Sequence, residues 1–121
     1  MNLAGEAIGN IYRHYNLQTS DIIVINDDVD LEKGRIKIAR RGGDAGHLGV
    51  RSVIQALNSK DFPRCRIGIG RPSEKMDLRE YVLGEFTKEE WQIMEPVILK
   101  AASAIEVIIL EGIDKAMAKF N

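Results

Sequence analysis

The sequence predicts an α/β fold in which short strands alternate with amphipathic helices. Two strands are indicated first: residues 21–26 contain a run of β-branched side chains, and residues 35–39 alternate basic and apolar side chains. A glycine-rich loop then leads into a helical pattern over residues 48–57. Because no repeat, linker or low-complexity tract interrupts the 121 residues, we expect a single domain with the architecture of an α/β sandwich.

Each remaining element follows from a local pattern. The first residues predict a helix on the spacing of Leu3, Ala7, Ile8 and Ile11, with Asn2 at its N-cap. Residues 64–69 predict a third strand. Residues 81–84 form a short apolar segment, and the pattern Thr-Lys-Glu-Glu at residues 87–90 predicts a capping box.

The C-terminal part predicts one long helix and one short helix. The long helix should bury a stripe of Trp91, Met94, Ile98, Ala101, Ile105 and Ile108. Pro96 should kink or divide it. Gly112 should end it, and residues 113–120 should form the last helix.

Charge is distributed unevenly along a chain whose formal net charge is −1. Residues 33–71 hold ten lysines and arginines against two acids, whereas the flanking segments are acidic. This pattern favours a localised anion site, with a solvated basic face as the alternative. The single cysteine, Cys65, is expected to pack in the core. One cysteine, no membrane span and no signal peptide together predict a cytoplasmic protein.

The glycine-dense loop at residues 40–49 is the strongest candidate for a ligand site. Glycines at this density favour close approach of the backbone to a ligand, and the flanking arginines favour an anion. His47 within the loop is expected to contact a ligand or to fasten the loop. His14 is expected to be structural.

Acidic side chains at residues 27, 28 and 30 follow the predicted strand at 21–26, where open α/β sheets place ligands. Asp27 could orient a histidine there. The three acids could also bind magnesium, but no further oxygen-rich motif is present to complete the coordination shell. A solvated acidic turn is the simpler alternative. The glycines at 68 and 70 do not form a dinucleotide fingerprint, because the third glycine is absent and proline follows.

Several motifs taken together resemble the bacterial-type peptidyl-tRNA hydrolase family. In order they are MNLAG at 1–5, DDVDL at 27–31, GGDAGHLG at 42–49, RCRIGIGRP at 64–72 and YVLG at 81–84. The resemblance covers essentially the whole chain. It implies a three-layer α/β sandwich with a twisted mixed sheet, hydrolysis of the ester between a peptide and the terminal ribose of tRNA, and no metal or other cofactor.

The resemblance also implies roles for individual residues. Asp27 would orient a general-base histidine, and Asn2 would position the scissile carbonyl or the water, although Asn2 could instead be only a helix cap. The expected substrate contacts are Gly46, His47, Leu48, Lys37, Arg40, Arg41 and Arg66. The family usually has asparagine where this chain has Leu48, and a clamp lysine where it has Ala39.

The chain begins at the family's Met-Asn-Leu motif. We therefore expect residues 1–121 to be a single partial domain that lacks the upstream strand, the upstream helix, an active-site asparagine and the catalytic histidine. Such a chain should be catalytically impaired and prone to associate. The full-length form should be a monomer that acts on peptidyl-tRNA and does not bind a membrane. The alternatives are a non-catalytic RNA-binding protein on the same scaffold and a nucleotide-binding module, for which the phosphate loop is absent.

Overall fold

The computed structural model describes residues 3–73 and 76–121. Within these residues the regular elements, in chain order, are α1 (Ala4–His14), a 3₁₀ turn (Thr19–Asp21), β1 (Val24–Asp28), β2 (Ile36–Ala39), α2 (Leu48–Leu57), β3 (Arg64–Gly68), α3 (Leu78–Leu83), α4 (Lys88–Glu111) and α5 (Ile113–Phe120).

The three strands form one mixed sheet in the order β1-β3-β2. The Val24 amide donates to the Pro63 carbonyl and the Ile69 amide to the Asp28 carbonyl, both at 3.0 Å, so β1 and β3 run in the same direction. The Gly68 amide donates to the Arg35 carbonyl at 2.9 Å, which places the end of β3 beside the start of β2. The predicted α/β class with a mixed sheet is confirmed.

Contacts divide the chain into two compact units, and the prediction of a single partial domain stays a prediction. The first unit comprises Met1–Asn26 and Ile38–Cys65. Its core is a cluster of Ile22, Val53, Leu57 and Phe62, against which Ile8, Tyr12, Val24 and Ile54 pack. Helices α1 and α2 contact each other over this core.

The second unit comprises Asp27–Lys37 and Arg66–Asn121. In it α4 packs against α5, whose Ala116 is fully buried. The buried face of α4 is made by Met94, Val97, Ala101 and Ala104. The predicted stripe was therefore partly wrong, because Trp91 and Ile98 are 46% and 41% exposed.

Other boundaries also differ from the prediction. The strand predicted at 21–26 starts at Val24 and runs to Asp28, because a 3₁₀ turn occupies Thr19–Asp21 and Ile22 is buried ahead of the strand. Residues 81–83 of the segment at 81–84 belong to a helix, α3, with Gly84 at its C-cap; the side chain of the N-cap Asp77 accepts from the Arg79 amide. Helix α1 has Leu3 at its cap position, and the predicted cap Asn2 lies outside the described residues.

Helix α4 confirms two predicted signals, and one of the two alternatives predicted for Pro96 was wrong. The Thr87–Glu90 capping box is present, and Gly112 ends the helix with φ +98°. Pro96 does not divide the helix, which continues from Lys88 to Glu111. Because Pro96 is exposed, water can hydrate the carbonyl that loses its helical partner.

Candidate functional site

The acidic end of β1 lies in the second unit and is paired with arginines. Asp28 Oδ1 accepts from the Asp30 amide at 2.8 Å, and Asp28 Oδ2 lies 4.0 Å from an Arg66 guanidinium nitrogen. Asp30 accepts from Arg71 Nε at 2.9 Å. Asp27 and Asp28 are half-buried strand residues, whereas Asp30 lies exposed in the following turn and is ion-paired with Arg71.

Asp27 lines a cleft of about 460 Å³ in the second unit. The other described lining residues come from the end of β3, from α3 and from the start of α4: Ile69, Pro72, Ser73, Met76, Glu80, Tyr81, Val82, Gly84, Glu85, Phe86, Thr87 and Glu90. They combine an apolar floor with carboxylates, and no histidine is among them. A carboxylate at the wall of such a cleft can orient a base or a substrate hydroxyl.

One side of the cleft is held by contacts around Tyr81. The Tyr81 hydroxyl donates to the Ile69 carbonyl, and Lys33 Nζ lies 5.9 Å from the centroid of the Tyr81 ring. Lys33 Nζ also lies 2.7 Å from Glu90 Oε2. The bond to Glu90 raises the pKa of Lys33, and the same bond, with the Thr87 amide, lowers the pKa of Glu90. Both groups are therefore charged at neutral pH, and their pairing ties the loop before β2 to the first turn of α4.

The glycine loop lies in the first unit and is held by Asp44. Asp44 Oδ1 accepts from the Gly46 amide at 2.8 Å, and the Asp44 carbonyl accepts from the His47 amide at 2.8 Å. Arg51 Nε donates to Asp44 Oδ2 at 3.1 Å. The Arg51 bond, followed by the Gly46 amide, lowers the pKa of Asp44. These contacts hold Gly46 at φ +82°, a backbone conformation that favours glycine.

His47 occupies the N-cap of α2. Its Nδ1 accepts from the Val50 amide at 3.2 Å, so Nε2 carries the proton in the neutral ring. The structure thus shows the fastening role expected for His47, and its contact with a substrate stays a prediction. Leu48 begins α2 with 51% of its surface exposed, and Gly46 is also exposed.

The predicted phosphate contacts differ in accessibility. Lys37 is exposed on β2 between the buried Ile36 and Ile38, and Arg40 and Arg41 are exposed after the strand. The Arg66 side chain retains 26% of its exposure beside Asp28. Asn2 lies outside the described residues.

Sequence reasoning missed three residues that organise these regions. Arg64 was counted with the basic segment but is 1% exposed, and Lys33 and Tyr81 were not assigned to any site. The only sequence signal for Arg64 was its position at the start of an apolar run; no signal indicated that Lys33 and Tyr81 meet.

Neither a membrane-spanning helix nor a three-residue cluster of metal-binding side chains occurs among the described residues. Among residues 3–73 and 76–121 no helix is long and apolar enough to cross a membrane. In the same ranges no three His, Cys, Asp or Glu side chains cluster so as to hold a metal ion. Cys65 is fully buried, which confirms its expected packing in the core, and burial raises the pKa of its thiol.

Comparison with known proteins supports the motifs. The peptidyl-tRNA hydrolase family model matches residues 1–121. A peptidyl-tRNA hydrolase of Thermotoga petrophila is 47% identical over all 121 residues, which cover 65% of its length. That of Desulforudis audaxviator is also 47% identical, with 60% of its length covered. The crystal structure of peptidyl-tRNA hydrolase from Acinetobacter baumannii superposes with a TM-score of 0.88 at 29% identity, over 98% of this chain and 60% of that one.

The chain is an α/β protein with the mixed-sheet fold that these motifs predicted. It belongs to the peptidyl-tRNA hydrolase family. It spans about two thirds of the length of the Thermotoga petrophila relative.

Proposed function

We propose that this chain binds peptidyl-tRNA and takes part in hydrolysing the ester between the peptide and the terminal ribose, in the cytoplasm. The observation that carries the proposal is the family match over all 121 residues, which includes every motif quoted above. The position of Asp27 in the wall of a cleft supports it, because the carboxylate has space beside it for a reacting group.

In this proposal catalysis and substrate binding depend on different residues. Asp27 orients an imidazole base that activates water, and Asn2 positions the carbonyl or the water. Gly46, His47 and Leu48 contact the substrate. Lys37, Arg40, Arg41 and Arg66 contact phosphates, which position tRNA without reading its bases.

Hydrolysis requires a base, and the described lining residues of the cleft include no histidine. His47 Nδ1 is occupied as an acceptor in the α2 cap. We therefore expect the 121-residue chain by itself to be slower than the Thermotoga petrophila relative by about 10²–10⁴-fold, the usual contribution of a general base.

Free imidazole provides the test. Single-turnover hydrolysis of an N-acetylated aminoacyl-tRNA by the 121-residue chain should accelerate when imidazole is added, beyond the acceleration without protein. Asp27→Asn should reduce that rescue with little change in tRNA affinity, because the amide cannot stabilise an imidazolium. Rescue that is unchanged by Asp27→Asn would contradict the role of Asp27.

The same experiment distinguishes the second candidate function. Leu48, which stands where the family usually has asparagine, favours a non-catalytic RNA-binding protein. Tight tRNA binding with no hydrolysis at any imidazole concentration would favour that alternative, and failure to bind tRNA would exclude both.

A further inference from the structure

Arg64 is a buried cation at the start of β3, in the first unit. Only 1% of the surface of Arg64 is exposed to solvent. Its guanidinium carbon lies 4.3 Å from the centroid of the Phe62 ring, which is itself fully buried. Burying a guanidinium costs free energy unless hydrogen bonds compensate, and an apolar side chain of similar volume would fill the space at lower cost. Its hydrogen bonds therefore indicate what the charge does here.

Those hydrogen bonds reach two segments on either side of α2. One terminal nitrogen of Arg64 donates to the Gly43 carbonyl at 2.8 Å, and the other donates to the Lys60 carbonyl at 3.0 Å. The Lys60 carbonyl also accepts from the Gly42 amide at 3.3 Å. The planar fork of Arg64 thus ties the entry of the glycine loop to the turn before β3.

The contacts continue from Gly43 to the loop residues that are proposed to contact the substrate. Asp44 follows Gly43 directly and holds the Gly46 and His47 amides. A shift of the Gly43 carbonyl would move Asp44 and, with it, the start of α2. A displacement of about 1 Å caused by a change far from the reacting atoms can lower the rate of an enzyme about 10²-fold.

We propose that Arg64 is a positioning residue that holds the glycine loop in the conformation that binds tRNA. It acts through Gly43 and Asp44 and does not itself touch phosphate, because it is buried. This inference rests on the proposed function, since it assigns the loop to the substrate.

The test compares Arg64→Met with Val53→Ala. Val53 lies in α2, is 5% exposed and belongs to the core of the same unit, so its truncation lowers stability without touching the loop contacts. Two quantities are measured for each variant: the rate of amide hydrogen exchange at Gly46 and His47, and the affinity for a deacylated tRNA. Each variant is measured at a temperature equally far below its own Tm. Arg64→Met should speed exchange at both amides and weaken affinity by about two- to thirty-fold, the usual range for a residue that acts on a ligand without touching it, whereas Val53→Ala should leave both near wild type.

Arg64→Lys is a second variant, which keeps the test decisive if Arg64→Met does not fold. A lysine ammonium on a flexible stem does not reproduce the planar fork, so this variant should give an intermediate loss. Equal effects of Arg64→Met and Val53→Ala, or unchanged loop exchange in the arginine variants, would overturn the proposal. Faster loop exchange with unchanged tRNA affinity would overturn it while leaving the proposed function intact, and a wild-type chain that fails to bind tRNA would instead reject both.

Discussion

The backbone of Gly5 in α1 lies directly against Ser52 in α2. The Gly5 amide donates to Ser52 Oγ at 3.1 Å, and the same hydroxyl donates to the Gly49 carbonyl at 2.7 Å. A Cβ added to Gly5 would lie 2.2 Å from the Ser52 carbonyl oxygen. The two helices of the first unit can approach this closely only because residue 5 has no side chain.

Gly5→Ala should therefore lower the free energy of unfolding by about 1–3 kcal/mol, the usual cost of overpacking. The clash is with backbone, so α1 or α2 has to shift. Urea denaturation measures the change. Gly43→Ala is the matched control, because a Cβ there meets nothing within 4 Å. A loss as large in the control would show that close helix packing is not the cause.

Glu90→Gln tests the Lys33–Glu90 pair. The amide oxygen can still accept from the Thr87 amide, so the variant loses the ion pair and keeps that half of the capping box. We expect a loss of about 0.5 kcal/mol at pH 7, because both side chains are partly exposed. Glu95→Gln, also on α4, should change stability less.

The pH dependence of this difference has a defined sign. The folded pKa of Glu90 is lowered by Lys33, so its contribution to stability is fully present above the ordinary glutamate pKa. It is lost as pH falls through the lowered folded pKa. Denaturation of wild type and Glu90→Gln as a function of pH should therefore converge in acid; a constant difference would contradict the assignment.

Asp44 should titrate below the ordinary range of an aspartate. Its pKa is lowered first by the Arg51 hydrogen bond, then by the Gly46 amide, and least by the charge of Lys60. Arg51→Gln should raise the pKa of Asp44 more than Lys60→Gln does. Carboxyl NMR titration checks this order, and equal shifts in the two variants would show that Arg51 is not the principal partner.

Arg66→Ala tests contact with phosphate and rests on the proposed function. Affinity for two unrelated tRNAs should fall by similar factors, and the slope of log affinity against log salt should decrease in magnitude by about one for a duplex-like contact. Lys100→Ala, an equal charge change on the exposed side of α4, is the control. An unchanged slope, or a loss confined to one tRNA, would exclude Arg66 as a phosphate contact.

The 121-residue chain should self-associate. Large apolar side chains in both units are more than 60% exposed: Leu3, Tyr15, Leu83, Leu99, Ile109 and Leu110. Sedimentation velocity over a range of concentrations should show species larger than 13.5 kDa. A single monomeric species at all concentrations would contradict this expectation.

Local patterns determined much of the secondary structure because the information for each element lies within a few residues. The capping box at Thr87 and Glu90, the alternation in β2 and the helix over Leu48–Leu57 are cases in which side-chain type and spacing act on the adjacent backbone. The ordered motifs likewise sufficed to predict the family, because they extend over the whole chain.

Only the tertiary structure decided which charged groups are buried, paired or exposed. Arg64 and Arg66 occupy alternate positions of one strand. The Arg64 side chain is nevertheless buried against the Phe62 ring, whereas that of Arg66 remains partly exposed beside Asp28. Lys33 meets Glu90 across 57 positions of sequence. Charge and spacing along the chain are unchanged by folding, whereas the partner and the solvation of each charge depend on segments brought together from far apart. The sequence therefore predicted an anion site in the basic segment, and the fold decided which cations of that segment are exposed.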